Sequence, residues 1–338
     1  MIRTGILGAS GYTGAELMRL ASGHRDLEVV YATADSQVGT RVGDLYPSLA
    51  GAYPGVIFEA LDPARTEGLD LVFLALPHGA SQGVVPDLRK RVPVLVDLAA
   101  DFRLKDPSLY PVWYGEEHAA PELLAEFAFG IPELFRSALS GAPLVAAAGC
   151  YVTAAALALA PLVQAGAIET SGVIVDAASG VSGAGRGLKH ATHFGTANED
   201  FTAYSLLTHR HTPEMEQATG AQVLFTPHLA PMTRGILATC YARPTGATST
   251  ADVLDILHRA YDAEPFVIVR EEAPSTKATF GSNAAHVTAR FDERTGWVVV
   301  LCALDNLVKG ASGQAVQCAN LALGLDETTG LSSIGVYP

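Results

Sequence analysis

At 338 residues the chain is too long for one ordinary core and long enough for two domains, and an apolar fraction of 49%, 17% charged residues and 33 glycines describe a compact α/β protein, not a disordered one. A formal net charge of −13 with only 22 Lys and Arg argues against nucleic-acid and membrane partners, which need basic patches to neutralise phosphates. An anionic small-molecule substrate then needs its positive charge concentrated in a few arginines.

The first residues enter an apolar run without the regions of a signal peptide, and no apolar stretch approaches the length that spans a bilayer. The four cysteines, Cys150, Cys240, Cys302 and Cys318, show no CxxC spacing. They read as reduced thiols of a cytoplasmic protein with no metal site.

Residues 2–7 are apolar, 8–14 glycine-rich, and Leu17, Met18 and Leu20 fall at helical spacing within 15–21, which predicts strand, tight loop and helix. Gly8, Gly11 and Gly14 are spaced GxxGxxG instead of the usual GxGxxG. Their context still suits a dinucleotide: glycines let the backbone approach a pyrophosphate, which the helix N-terminus stabilises. A tight turn that holds no phosphate is the alternative. A second strand is predicted over 27–33. Asp35, at its end, is placed to bond the ribose of NAD, whereas Ser36 and Arg41 could meet the 2′-phosphate of NADP. Strands over 70–76 and 93–98 with a helix over 81–91 between them complete an alternation typical of a parallel, doubly wound sheet. Arg103, in Asp101-Phe102-Arg103, follows on the edge where such sheets bind ligands.

An apolar run then ends at Gly149-Cys150 and a helical pattern starts. Unpaired N–H groups of a first helical turn favour negative charge, which lowers a thiol's pKa and makes Cys150 a candidate nucleophile. A small buried core residue is the competing reading. Beyond it the strands are longer and more alternating, over 172–177, 222–226, 235–243, 284–291 and 297–303, as in an α+β domain with a mixed or antiparallel sheet. The loop 179–186 contains Ser182 and Gly183, can present N–H groups to an anion, and ends on Arg186. His209-Arg210-His211-Thr212-Pro213-Glu214 puts two imidazoles on one side of an extended segment, just before a helix start. General acid/base chemistry oriented by Glu214, a metal site lacking further ligands, and a surface cap all remain open. Residues 271–282 read as a mobile loop, and 305–325 as a final helix.

Taken together, GASGYTGAEL (8–17), LALPHG (74–79), VDLAADFRL (96–104), GCYVTA (149–154), SGVSGAGR (179–186), HRHTPEM (209–215), HLAPMTRGI (228–236) and DNLVKGASGQA (305–315) resemble the N-acetyl-γ-glutamyl-phosphate reductases, the arginine-biosynthesis branch of the aspartate-semialdehyde dehydrogenase superfamily. The resemblance runs almost end to end. It implies a Rossmann-type dinucleotide domain of residues 1–149 with 305–338, and a catalytic and oligomerisation domain of 150–304 in a dimer or tetramer. It further implies that Cys150 attacks an acyl phosphate to form a thioester reduced with NADPH, while His211, or else His209, moves protons. Arg103 and Arg186 would meet the substrate. Gly8, Ser10, Gly11, Tyr12, Thr13, Gly14, Ser36, Arg41, Ser182, Gly183, Asn306, Lys309 and Gly310 would line NADP(H). Two positions depart from the family's pattern: Ala99 replaces a common serine, and Asp35 stands where many relatives carry arginine. The nearest alternative is the lysine-pathway enzyme acting on a carrier-bound aminoadipyl phosphate, one methylene longer.

Overall fold

In a computed structural model, residues 1–246 and 248–338 are described. The chain divides into two compact units, one of residues 1–148 with 311–331 and one of 149–310 with 332–338. Residues 305–310 and 332–338, assigned above to the cofactor domain, thus lie with the second unit. There 305–310 follow the end of the last strand as a turn, and 332–338 are tied down by bonds from Asn283 N–H to the Ser332 carbonyl and from Val336 N–H to the Phe280 carbonyl.

The first unit holds strands β1 (Ile2–Leu7), β2 (Leu27–Ala32), β3 (Leu71–Leu74), β4 (Val94–Asp97), β5 (Ala128–Gly130) and β6 (Leu144–Ala147), with helices α1 (Tyr12–Ser22), α2 (Val42–Leu45), α3 (Ala80–Leu88), α4 (Leu109–Trp113) and α5 (Pro132–Leu139). The strands form one parallel sheet in the order β2-β1-β3-β4-β6-β5. β3, β4 and β6 are buried at every position, the continuous burial expected of strands covered on both faces. Leu17, Phe73, Val96 and Val316 belong to one core cluster, and Val72, Leu74, Leu95 and Phe102 to another. α1 begins at Tyr12, three residues earlier than its apolar periodicity, because the glycine loop is tighter than its composition reveals.

The second unit contains α6 (Cys150–Gln164), β7 (Val173–Gly180), α7 (Phe194–Ala197), β8 (Thr202–Ala203), α8 (His211–Thr219), β9 (Val223–Ala230), β10 (Ile236–Ala242), α9 (Thr250–Tyr261), β11 (Val267–Val269), β12 (Ala285–Asp292) and β13 (Trp297–Leu304). Its seven-stranded mixed sheet runs β11-β12-β13-β10-β7-β9-β8, antiparallel from β12 through β7 and parallel at β7–β9 and β11–β12. α6 is apolar all round, and its residues from Tyr151 to Leu162 are buried, as suits a helix inside a core. Each of Leu157, Leu159 and Leu162 contributes about 1.5–3 kcal/mol by leaving water. Residues 271–282, read above as a loop, carry turns over 276–281, with Thr279 and Ser282 buried and Glu271, Glu272 and Phe280 exposed.

The predicted final helix divides in two. Val308–Ser312 forms a π-helical turn, and only Gly313–Ala322 is α-helical (α10). Among the described residues no helix is long and apolar enough to cross a membrane.

Candidate active site

Cys150 is the first residue of α6, and its N-cap, Gly149, is extended at φ −67° and ψ 151° with no side-chain cap and no acid in the first turn. Cys150 is half-buried, whereas Cys240, Cys302 and Cys318 are buried. Burial pushes the Cys240 thiol up and the Cys302 thiol to about 12, so neither ionises near neutrality. Glycines flank Cys150. A Cβ on Gly149 would lie 2.4 Å from His211 Nε2, and one on Gly310 would lie 2.8 Å from the Cys150 Cβ. Only hydrogen fits at either position, which brings an imidazole and a turn of backbone against the thiol's own residue.

The two histidines do not lie on an extended segment. Arg210 is helical, at φ −63° and ψ −11°, and His211 opens α8. This turn brings the rings edge to face with centroids 4.7 Å apart, and the His211 backbone N–H donates to His209 Nδ1 at 3.1 Å. His209 also meets the rings of Tyr151, Tyr204 and Phe225. Burial, reinforced by the Arg210 charge, pushes His209 down to about 4, so it is neutral near neutral pH. The Tyr204 hydroxyl donates to that of Tyr151 at 3.2 Å, and Tyr151 to the His228 carbonyl at 2.9 Å. Burial raises both phenols, Tyr204 to about 12. Glu214, one turn beyond His211 and fully buried, accepts the Gly149 N–H at 3.1 Å. The carboxylate therefore ties α8 to the N-cap of α6.

A second cluster occupies the loops of the same unit. Asn306 donates to Ser182 Oγ at 3.0 Å and accepts the Gly235 N–H at 2.7 Å. Gly183 sits beside it, where a Cβ would approach Ser179 Oγ to 3.0 Å. Lys309 is fully buried in the π-turn, with its ammonium 5.7 Å from the Phe266 ring centre. Arg186 is half-buried beyond the short turn Val181–Ala184. Asp305 and Arg234 also belong to this cluster, and neither stood out in the sequence.

In the first unit the glycine loop has the form a dinucleotide requires. Gly8 has φ +84°, and a Cβ there would strike the Ala75 carbonyl oxygen at 2.3 Å; one on Gly14 would strike the Gly8 oxygen at 2.4 Å. The N-cap of α1, Gly11, has no side-chain cap, and the first turn, with Tyr12 and Thr13, has no acid. Such a helix end favours a pyrophosphate. Ser10 is held by its carbonyl, which accepts the Tyr46 hydroxyl at 2.7 Å. Asp35, Ser36 and Arg41 are all exposed just past β2.

The ends of β3 and β4 are joined by carboxylates. Asp101 accepts N–H bonds from Gly79 at 2.8 Å, Ser81 at 2.9 Å and Gln82 at 3.3 Å, capping α3 from a different loop. It also meets His78 Nδ1 at 2.6 Å. Burial alone would raise Asp101, but the His78 and backbone hydrogen bonds bring it below the usual carboxylate range. Fully buried Asp97 is pushed up to about 8 by burial and by Asp101, against the Ser81 hydrogen bond and Arg103. Arg103 itself is only 7% exposed and donates to the Leu98 carbonyl at 2.7 Å.

Among the described residues no group of three or more His, Cys, Asp or Glu could hold a metal ion. Residues 3–142 match the family model of the semialdehyde dehydrogenase NAD binding domain, and 150–306 that of the semialdehyde dehydrogenase dimerisation domain. An N-acetyl-gamma-glutamyl-phosphate reductase of Symbiobacterium thermophilum is 49% identical over 100% of this chain and 99% of its own length. One of Desulforudis audaxviator is 48% identical over 100% of both. Among solved structures, aspartate semialdehyde dehydrogenase II of Vibrio cholerae superposes with a TM-score of 0.72 over 96% of this chain and 98% of that one, at 15% identity. The chain belongs to the semialdehyde dehydrogenase family and, within it, to the N-acetyl-γ-glutamyl-phosphate reductases.

Proposed function

We propose that the protein catalyses the NADPH-dependent reductive dephosphorylation of N-acetyl-γ-glutamyl phosphate to N-acetyl-glutamate 5-semialdehyde. The observation that carries this reading is Cys150 at the N-terminus of α6 with the His211 ring seated on the glycine before it. The helix end favours the thiolate. Its sulfur attacks the acyl carbon, a C–S bond forms, the C–O bond to phosphate breaks, and phosphate leaves with the electron pair. Bound NADPH supplies a hydride to the resulting thioester. His211 takes the thiol proton, gives it to the oxygen as the hemithioacetal forms, and takes it back as the hemithioacetal collapses to aldehyde and thiolate.

His209, neutral and with Nδ1 already accepting a hydrogen bond, is the second choice and is better suited to holding His211 in place. Arg103 and Arg186 are candidates for the substrate's anionic groups. The glycine cradle, with Ser36 and Arg41, fits NADP(H), and Ser182, Gly183, Asn306, Lys309 and Gly310 are the remaining cofactor candidates. We also read the chain as a cytoplasmic homo-oligomer, dimer or tetramer, since the second unit matches a model described as a dimerisation domain. The reported relatives, at 48–49% identity, carry the arginine-enzyme name, and no feature of the site favours the aminoadipyl substrate.

The test is purified protein supplied with N-acetyl-glutamate semialdehyde, phosphate and NADP⁺. NADPH should form only when all three are present. Formation without phosphate would point to hydrolysis of the thioester, and no formation at all would reject the reading.

A further inference from the structure

Arg234 stands on the loop between β9 and β10. Its guanidinium keeps 21% of its side-chain surface exposed and lies 3.6 Å from the fully buried Asp305 carboxylate, with the Phe280 ring centre 5.9 Å away. The backbone that carries it is fixed from three directions. Ser182 N–H donates to the Thr233 carbonyl, and Gly180 N–H to that of Gly235. A Cβ on Gly180 would come within 2.7 Å of the Arg234 nitrogen, and one on Gly235, where φ is +111°, within 2.7 Å of the Thr276 Cβ. Asn306 then holds the Gly235 N–H. An arginine with a buried counter-ion, a fixed backbone and a partly open guanidinium is prepared to bind an anion with little loss of side-chain freedom.

Asp305 links this arginine to the nucleophile. The Gly310 N–H donates to the Asp305 carbonyl at 2.9 Å, and Gly310 is the glycine packed on Cys150. The segment from Asp305 to Gly310 thus has Arg234 at one end and Cys150 at the other. We propose that Arg234 binds the carboxylate at the far end of the acyl chain, so that it sets substrate specificity; this rests on the function proposed above. A carboxylate fits better than the phosphate for two reasons. The phosphate is bonded to the carbon that Cys150 attacks, whereas the carboxylate lies several bonds further along. Asp305 also cancels much of the Arg234 charge, which leaves a field suited to one negative charge and not to two.

The experiment uses the reverse reaction and varies semialdehyde, phosphate and NADP⁺ in turn, with the native protein, Arg234→Lys and Arg234→Met. It adds 4-acetamidobutanal, which lacks the carboxylate. Arg234→Met should raise the KM for N-acetyl-glutamate semialdehyde by roughly 10–100-fold, the worth of a charge-assisted hydrogen bond, with phosphate and NADP⁺ within about two-fold. Arg234→Lys should fall between, since it keeps the charge but loses the fork. The native protein should prefer the carboxylated aldehyde, and both variants should lose part of that preference. A rise in the phosphate KM instead, an unchanged semialdehyde KM, or an undiminished preference over 4-acetamidobutanal would overturn the assignment. Arg234→Lys decides alone if Arg234→Met does not fold. A native protein inactive on the semialdehyde would reject the proposed function itself; native activity with unaltered variants would reject only Arg234.

Discussion

At the scale of single residues, the proposed chemistry depends on one thiol and one imidazole. Cys150→Ser should leave less than about a hundredth of the activity, because a hydroxyl cannot reach a useful anion fraction near neutrality, while NADPH fluorescence titration should give near-native binding. His211→Asn should slow turnover roughly 10²–10⁴-fold, the usual worth of general acid–base catalysis, and His209→Asn less. A reversed ranking in the measured kcat values would move the acid/base role to His209. Cys150 was legible as the junction of an apolar run and a helix. The choice between the histidines was not, because an HxH pattern carries no information on which ring faces the nucleophile. Packing separates their surroundings: His211 rests on Gly149, and His209 is enclosed by Tyr151, Tyr204 and Phe225. Arg234 escaped notice for the same reason, since its partner Asp305 is distant in sequence.

At the scale of elements, helix ends do most of the positioning. Gly149→Ala would place a methyl group inside the His211 ring and should cost about 10²-fold in kcat, as expected when a catalytic group is displaced by about an ångström; circular dichroism should show an unchanged fold. Asp101→Ala removes the cap of α3 and leaves the ends of β3 and β4 unjoined. It should lower stability by roughly 3 kcal/mol or more, measured by urea unfolding. The alternating first half was readable because buried parallel strands are short unbroken apolar runs. The capping by Asp101 was not, since it comes from another loop. α9 shows the opposite case: Ser249 accepts the Asp252 N–H, and Val253, Leu257 and Tyr261 recur along its buried face, a capping and periodicity signal present in the sequence that the reading above did not use. The π-turn at Val308–Ser312, which brings Gly310 against Cys150, has no such signature.

At the scale of the whole molecule, stability and cofactor choice depend on buried and exposed carboxylates respectively. Asp97 has a folded pKa near 8, above the ordinary value of about 3.9. Between those values the unfolded chain releases a proton that the folded chain keeps, so Asp97 withdraws stability as pH rises. The stability gap between Asp97→Asn and the native protein should therefore widen in favour of the variant from about pH 4 to about pH 8, measured by urea unfolding at several pH values; a gap independent of pH would mean that Asp97 is an ordinary carboxylate. Asp35, exposed beside Ser36 and Arg41, would repel a 2′-phosphate that the other two attract. NADPH should still be preferred, and Asp35→Asn should raise kcat/KM for NADPH over NADH. A native preference for NADH would instead give Asp35 the ribose hydroxyls. The division into two units was visible as a change from alternating strands and helices to long strands, whereas the return of 332–338 to the second unit rests on backbone pairing that composition does not encode. The central claim, a thioester on Cys150, is tested most directly by mixing the protein with N-acetyl-γ-glutamyl phosphate in the absence of NADPH, quenching in acid, and weighing the intact protein and its peptides. A mass increase of one N-acetyl-glutamyl group on the Cys150 peptide is predicted; phosphate release with an unmodified Cys150, or the group on any other residue, would contradict it.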